Sequence, residues 1–173
     1  MKIENEEWID RWDMSAVPDF DDKLKECEFF FGALSLETDR NRFRWLVSAF
    51  LSAAYSFFES TALTAHFRYS DPENGDPYED SEGLRILRKH VEVKQSQSNP
   101  EYVKTKGLTP ITKQLYEFRK KNTHHLPLSV MVVDSGLPEG FQFGSIQGQG
   151  TPVMPLCRQV MDLIRTIHDE IGY

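Results

Sequence analysis

One run of the chain concentrates the side chains that phosphate chemistry uses: Arg119, Lys120, Lys121, Asn122, Thr123, His124 and His125. Cleavage of RNA by its own 2′-hydroxyl needs a base that titrates near neutrality and a cation to meet the charge of the phosphorane. Histidine titrates there, and arginine is a permanent cation whose planar fork fits phosphate oxygens in pairs. In that chemistry His124 is the base or acid and Arg119 the phosphate clamp. Lys120, Lys121, Asn122 and His125 would hold the RNA backbone. The plainer alternative is that the two histidines favour the negative end of a helix dipole, with Arg119 in an ordinary salt bridge, for instance to Glu59.

The element that must present this run is a helix. Thr109 followed by Pro110 predicts an N-cap with proline at the first helical position. Ile111, Leu115 and Phe118 recur at i, i+4 and i+7, the apolar stripe of a helix. Leu126 precedes Pro127 and is biased out of the α region, so the helix is expected to stop near there. Arg119 and His124 would then stand about 140° apart around the axis. They converge only if the last turn frays or if a second subunit completes the site.

The rest of the chain predicts a mainly α fold: an antiparallel helical bundle with a small C-terminal β-hairpin before the last helix. Asp19 opens a helix to about Glu37, with Phe20, Leu24, Cys27, Phe30/Phe31 and Leu34 as its stripe. Thr38-Asp39 is a break and cap. From about Arg40 to Phe67, Phe43, Leu46/Val47, Phe50/Leu51, Ala54, Phe57/Phe58 and Ala62 predict a central helix about 40 Å long. Ser48, Ser52, Ser56 and Ser60 form a second row, suited to close approach of another helix or to solvent. Residues 70–83 are Pro-, Gly- and acid-rich and predict a loop, either a plain connector or an acidic flap. A helix is expected from Leu84 to about Gln97, then a basic connector over 101–108. Leu128, Val130 and Val132/Val133 predict a strand, with Phe141, Phe143, Ser145 and Gln147 as a second. Pro155 opens a last helix faced by Leu156, Val160, Leu163/Ile164, Ile167 and Ile171. Trp8 and Trp12 share one face of a short helix, docked on the core or on a partner. No repeat or boundary divides the chain, so 1–173 is expected to be one domain.

Composition narrows the partners. The net charge of −7 is polarised. Residues 1–84 hold 8 basic and 19 acidic side chains, a charge of −11; residues 85–125 hold 10 and 3, a charge of +7; the remainder holds 2 and 5, a charge of −3. The basic segment either neutralises the acidic half or forms an anion site on an acidic protein. Cys27 and Cys157 lie far apart with no Cys-x-x-Cys pattern, which suits a reduced, cytoplasmic protein. The acidic N-terminus is not expected to act as a signal peptide, and no apolar run is expected to span a bilayer. His66, His90 and His168 make no chelating pattern, so neither metal nor cofactor is expected.

The form Arg119-Lys-Lys-Asn-Thr-His124, near the end of a helix after Leu115 and Phe118, resembles the Arg-x4–6-His motif of the HEPN superfamily. The run from Phe43 to Phe58 is similar to the long central helix of small bacterial proteins of that group. The resemblance covers about residues 19–125. It implies a helical bundle that dimerises, with two motifs facing one cleft and RNA cut without a metal. It also implies toxin or defence nucleases, with an antitoxin protein as partner. Lys120 stands where the family often carries Asn, Asp or His. Relatives that lack nuclease activity supply the alternative: a non-catalytic module that binds nucleotide or a partner, or serves only dimerisation.

Overall fold

A computed structural model describes residues 21–68, 82–95, 102–124, 130–132, 138–144 and 150–172 (backbone only for 67–68, 122–124 and 130–132). The elements are α1 (Asp22–Leu36), α2 (Arg40–Arg68), α3 (Glu82–Leu87), β1 (Val91–Gln95), β2 (Val103–Gly107), α4 (Pro110–His124), β3 (Val130–Val132), β4 (Phe141–Phe143), β5 (Thr151–Pro152) and α5 (Val153–Ile171). The fold is mainly helical with two small antiparallel sheets, β1-β2 and β3-β4-β5.

The helix α2 is the axis of the bundle. Asp39 starts it as expected: its Oδ1 accepts the backbone N–H groups of Asn41 and Arg42 at 3.0 and 2.9 Å, satisfying donors that a helix start leaves unpaired. Phe43, Val47, Phe50, Leu51, Ala54, Phe58 and Ala62 are all fully buried, so the three-and-four spacing is the core spacing. Loss of a ring such as Phe58 from this seam would cost about 3–5 kcal/mol. By length and composition alone, Arg40–His66 could cross a membrane, which corrects the expectation that no run would do so. Half of that window is buried against the rest of the protein.

The three-residue connector 37–39 folds α1 back on α2, with Phe31 tilted against Phe50 at 5.9 Å. Helix α5 closes the other side through Val160, Met161, Ile164 and Ile167. Its Arg165 donates to Glu28 of α1 at 2.9 and 3.0 Å, and His168 meets Asp21 at 2.9 Å. Asp21 occupies the N-cap position of α1 without capping it through its side chain. The small sheet is tied in by stacked rings, Phe141 on Phe43 and Phe143 on Phe118, with centroids 4.0 and 4.3 Å apart.

Several expectations are corrected. The helix expected over 84–97 is the short α3 followed by β1, and the basic connector 101–108 contains β2. Leu84, Leu87 and Val91 fit a helical stripe, but from Val91 onward the period is two. Val103, Thr105 and Gly107 are buried while Lys104 and Lys106 are exposed, the signature of a half-buried strand. Helix α3 already begins at Glu82, inside the expected loop. The C-terminal sheet has a third strand, β5, paired with β4, and α5 starts at Val153, two residues before Pro155. Asp19, Trp8 and Trp12 lie outside the described residues.

Candidate nucleic-acid interface

The start of α4 is fixed to the hairpin. Thr109 is the cap: its hydroxyl accepts the N–H of Thr112 at 3.3 Å, and the N–H of Thr109 donates back to Thr112 Oγ1 at 3.0 Å. This is a reciprocal capping arrangement with threonine in place of the usual Glu. Thr112 Oγ1 donates in turn to the His90 carbonyl at 2.8 Å. Gly107 lets the strand come this close, because a Cβ there would lie 2.5 Å from the carbonyl carbon of Thr112. Leu115 is fully buried, which sets the roll of α4 about its axis.

That roll places Arg119 against α2. Its guanidinium carbon lies over the ring of Tyr55, 4.2 Å from the centroid, a cation–π contact worth about 0.5–2 kcal/mol. Tyr55 donates its hydroxyl to Glu59 Oε1 at 2.6 Å. Burial first, and the bond to Glu59 second, push the Tyr55 phenol above its ordinary pKa. The ring of Tyr116 meets Tyr55 edge-on at 4.8 Å. Its own hydroxyl lies 2.5 Å from Thr105 Oγ1 of β2, and burial raises its pKa as well. Arg119 and Glu59, set down as partners in a plain salt bridge by the alternative reading, thus meet on one tyrosine, at its face and at its hydroxyl.

The other expected site residues are placed as follows. Lys120 and Lys121 are exposed. Lys121 pairs with Glu117 at 2.7 Å, one helical turn back. The helix is continuous through His124, so the last turn does not fray before that residue. Positions 119 and 124 therefore keep their separation of about 140°, and one copy of α4 does not bring them to one face. The side chains of Asn122 and His124 lie outside the described set, as does all of His125.

A second feature adjoins Tyr55. A cleft of about 250 Å³ opens between Lys23 of α1, Ser56, Glu59, Ser60 and Leu63 of α2, and Tyr102 beside β2. Lys23 Nζ is held by Glu26 at 2.5 Å. Tyr102 is 55% exposed. Beyond it, Lys104 and Lys106 point the same way, outward, with Lys94 paired across the ladder to Lys104 and Glu92 to Lys106. Lys94 also reaches Glu92 at 2.7 Å. Among the described residues no carboxylate lies within ion-pair distance of Lys104, Lys106, Lys113 or Lys120. By contrast Arg85 pairs with Glu82, and Lys89 with Glu170 at 3.4 Å.

Tyr55, Glu59, Tyr102 and Tyr116 are not among the expected site residues. The alternation Tyr102, Lys104, Lys106 against Val103, Thr105, Gly107 is the signal that could have found Tyr102. Nothing in the period of α2 marks Tyr55 as more than a flank of the core stripe. The cysteines offer no nucleophile: burial pushes the thiols of Cys27 and Cys157 up to about 12. The chain matches no protein-family model, no curated protein and no solved structure.

Proposed function

We propose that this is a HEPN-like homodimer that binds RNA and cleaves it without a metal, through Arg119 of one copy and His124 of the other. The observation that carries the reading is the placement of Arg119. It is half-buried and stacked on Tyr55, at the end of a helix that also presents Lys120 and Lys121 to solvent. A cation oriented by packing loses little freedom on meeting phosphate, which is what a clamp requires.

Two observations support the dimer. The continuous helix keeps Arg119 and His124 on different sides of α4, so a shared site needs a second copy. Helix α2 also leaves Trp45 61% exposed and Ser52 exposed, seven residues apart and hence on one side. Tyr55 lies about 60° around the helix from Ser52. A copy docked on this stripe therefore sits beside Arg119. In the cleavage step His124 would take the proton of the ribose 2′-hydroxyl. That oxygen would then attack the adjacent phosphorus, and the bond to the 5′-oxygen would break. The 5′-oxygen would leave with a proton taken from water while His124 returns its own proton to solvent; Arg119 would meet the equatorial charge. The products would be a 2′,3′-cyclic phosphate and a 5′-hydroxyl.

A second reading keeps the binding and drops the cleavage. It is favoured by the same cation–π contact, which would also suit an Arg119 that only anchors α4 to α2, and by Lys120 after the arginine. Incubation of the purified protein with RNA in EDTA, wild type beside His124→Ala, separates the two.

A further inference from the structure

We infer that the cleft beside Tyr102 is a base-binding subsite for single-stranded RNA that takes guanine against Glu59, while Lys104 and Lys106 carry the neighbouring phosphates. The inference rests on the RNA-binding part of the reading above and not on cleavage.

The size of the cleft comes first. About 250 Å³ lies below the roughly 300–1,000 Å³ of sites that enclose a whole small molecule. It suits one planar ring system with the rest of the ligand outside. The charge comes next. Two ionisable groups line it. The Glu59 carboxylate is half-buried and already oriented by the Tyr55 hydroxyl at 2.6 Å. Lys23 is neutralised by Glu26 at 2.5 Å. A phosphate is repelled from such a pocket, whereas an edge rich in N–H donors is drawn to it. Leu63 and Val103 supply apolar wall, Ser56 supplies a hydroxyl that can donate or accept, and Ser60, whose hydroxyl donates to the Phe57 carbonyl at 3.2 Å, supplies one that can accept.

The carboxylate selects among the bases. Each of its oxygens offers two acceptor positions, so Glu59 retains capacity on both after bonding Tyr55. Guanine presents two adjacent donors, N1–H and N2–H, to such a pair. Adenine and cytosine present one amino group beside a ring nitrogen acceptor, which would face the second oxygen and repel it. Uracil presents one N–H between two carbonyls. Tyr102, exposed at the mouth, supplies the stacking face, and the base-on-aromatic contact is tolerant of geometry.

The phosphates have their own track. On an extended strand, alternate residues share a face and rise about 6.6 Å per pair, so Tyr102, Lys104 and Lys106 form one outward line. Lys94, directly across from Lys104, is held by Glu92 at 2.7 Å, so Lys104 and Lys106 are the two cations of this line left for phosphate.

The test uses five-nucleotide oligomers of 2′-O-methyl uridine with G, A, C or U at the centre, labelled with fluorescein and read by anisotropy. The 2′-O-methyl groups remove the nucleophile, so affinity is measured apart from cleavage. The G oligomer is expected to bind about tenfold more tightly than the other three. Tyr102→Ala should weaken it by about five- to a hundredfold, with Tyr102→Trp restoring it. Glu59→Gln, which still accepts the Tyr55 hydroxyl, should abolish the preference for G and keep the binding. Thermal melts of each variant show that the fold is intact. Equal affinity for all four oligomers, an unchanged Tyr102→Ala, or equal displacement by dextran sulfate of every oligomer overturns the subsite. The all-ribose G oligomer is incubated in parallel. Selective binding with no cleavage leaves the subsite standing and removes the catalytic reading alone; no binding at all removes both.

Discussion

The guanidinium of Arg119 lies over the ring of Tyr55, 4.2 Å from its centroid, and so joins α4 to α2 through a side chain whose hydroxyl is already bound to Glu59. The contact separates two contributions of one tyrosine. Tyr55→Phe removes the hydrogen bond and leaves the ring. It should lower unfolding free energy in urea by about 1 kcal/mol and leave the affinity for an all-uridine oligomer unchanged. Tyr55→Leu removes the ring face as well and should lower RNA affinity too. Equal RNA affinity in Tyr55→Leu and wild type would mean that Arg119 needs no platform.

Gly107 gives a purely structural test. A methyl group at this position meets backbone of Thr112 and Lys113 at 2.5–2.6 Å, and backbone cannot swing aside as a side chain can. Gly107→Ala should therefore destabilise the fold by about 1–3 kcal/mol, seen as a lower urea midpoint. A neutral result would mean that β2 and α4 are not held as closely as described.

Much of this fold was legible in spacing. The stripe from Phe43 to Ala62, the Asp39 cap and the Thr109-Pro110 start of α4 each rest on local chemistry, and the structure bears each out. The β1-β2 hairpin was not legible as such, because Leu84, Leu87 and Val91 continue a helical spacing across the point where the chain turns to strand. What decides there is tertiary: the hairpin buries Val91 and Val103 and lets Gly107 approach α4. The expected site was legible only as a list of residue types. Arg119 stands out by its neighbours in sequence, but its seat on Tyr55, 64 positions earlier, depends on how α4 rolls against α2.

The cap of α2 has a pH signature. Two backbone N–H groups, that of Arg42 first, hold the Asp39 carboxyl below its ordinary pKa. A carboxyl depressed in the folded state stabilises fully above its unfolded pKa of about 3.9, and that contribution is lost as pH falls through the folded value. Asp39→Ala should thus melt earlier than wild type at neutral pH, with the gap constant down to about pH 4 and closing below it. A gap that widens on acidification would contradict the assignment.

Dimerisation through the outward face of α2 is tested by light scattering at tens of micromolar. The wild type should scatter as a dimer. Ser52→Arg, at an exposed position, should scatter as a monomer, keep the wild-type helical circular-dichroism spectrum and lose the dependence of melting temperature on protein concentration. A monomeric wild type would remove the shared cleft from the mechanism.

RNA affinity should fall with salt, because the proposed phosphate contacts are lysines without ion-pair partners among the described residues. Alanine at Lys104, Lys106 or Lys120 should each flatten the plot of log affinity against log salt by about 0.7 for a single strand. An unchanged slope in all three would place the phosphate track elsewhere.

Cleavage of RNA in EDTA, read by gel with end-group analysis, bears on the central proposal most directly. Wild type should produce 2′,3′-cyclic or 3′-phosphate ends with no metal present. His124→Ala should lose about 10²–10⁴-fold of that rate. Arg119→Lys should fail as well, since an ammonium does not reproduce the paired contacts of a guanidinium. No cleavage by the wild type, or full cleavage by His124→Ala, would contradict the catalytic assignment and leave an RNA-binding module.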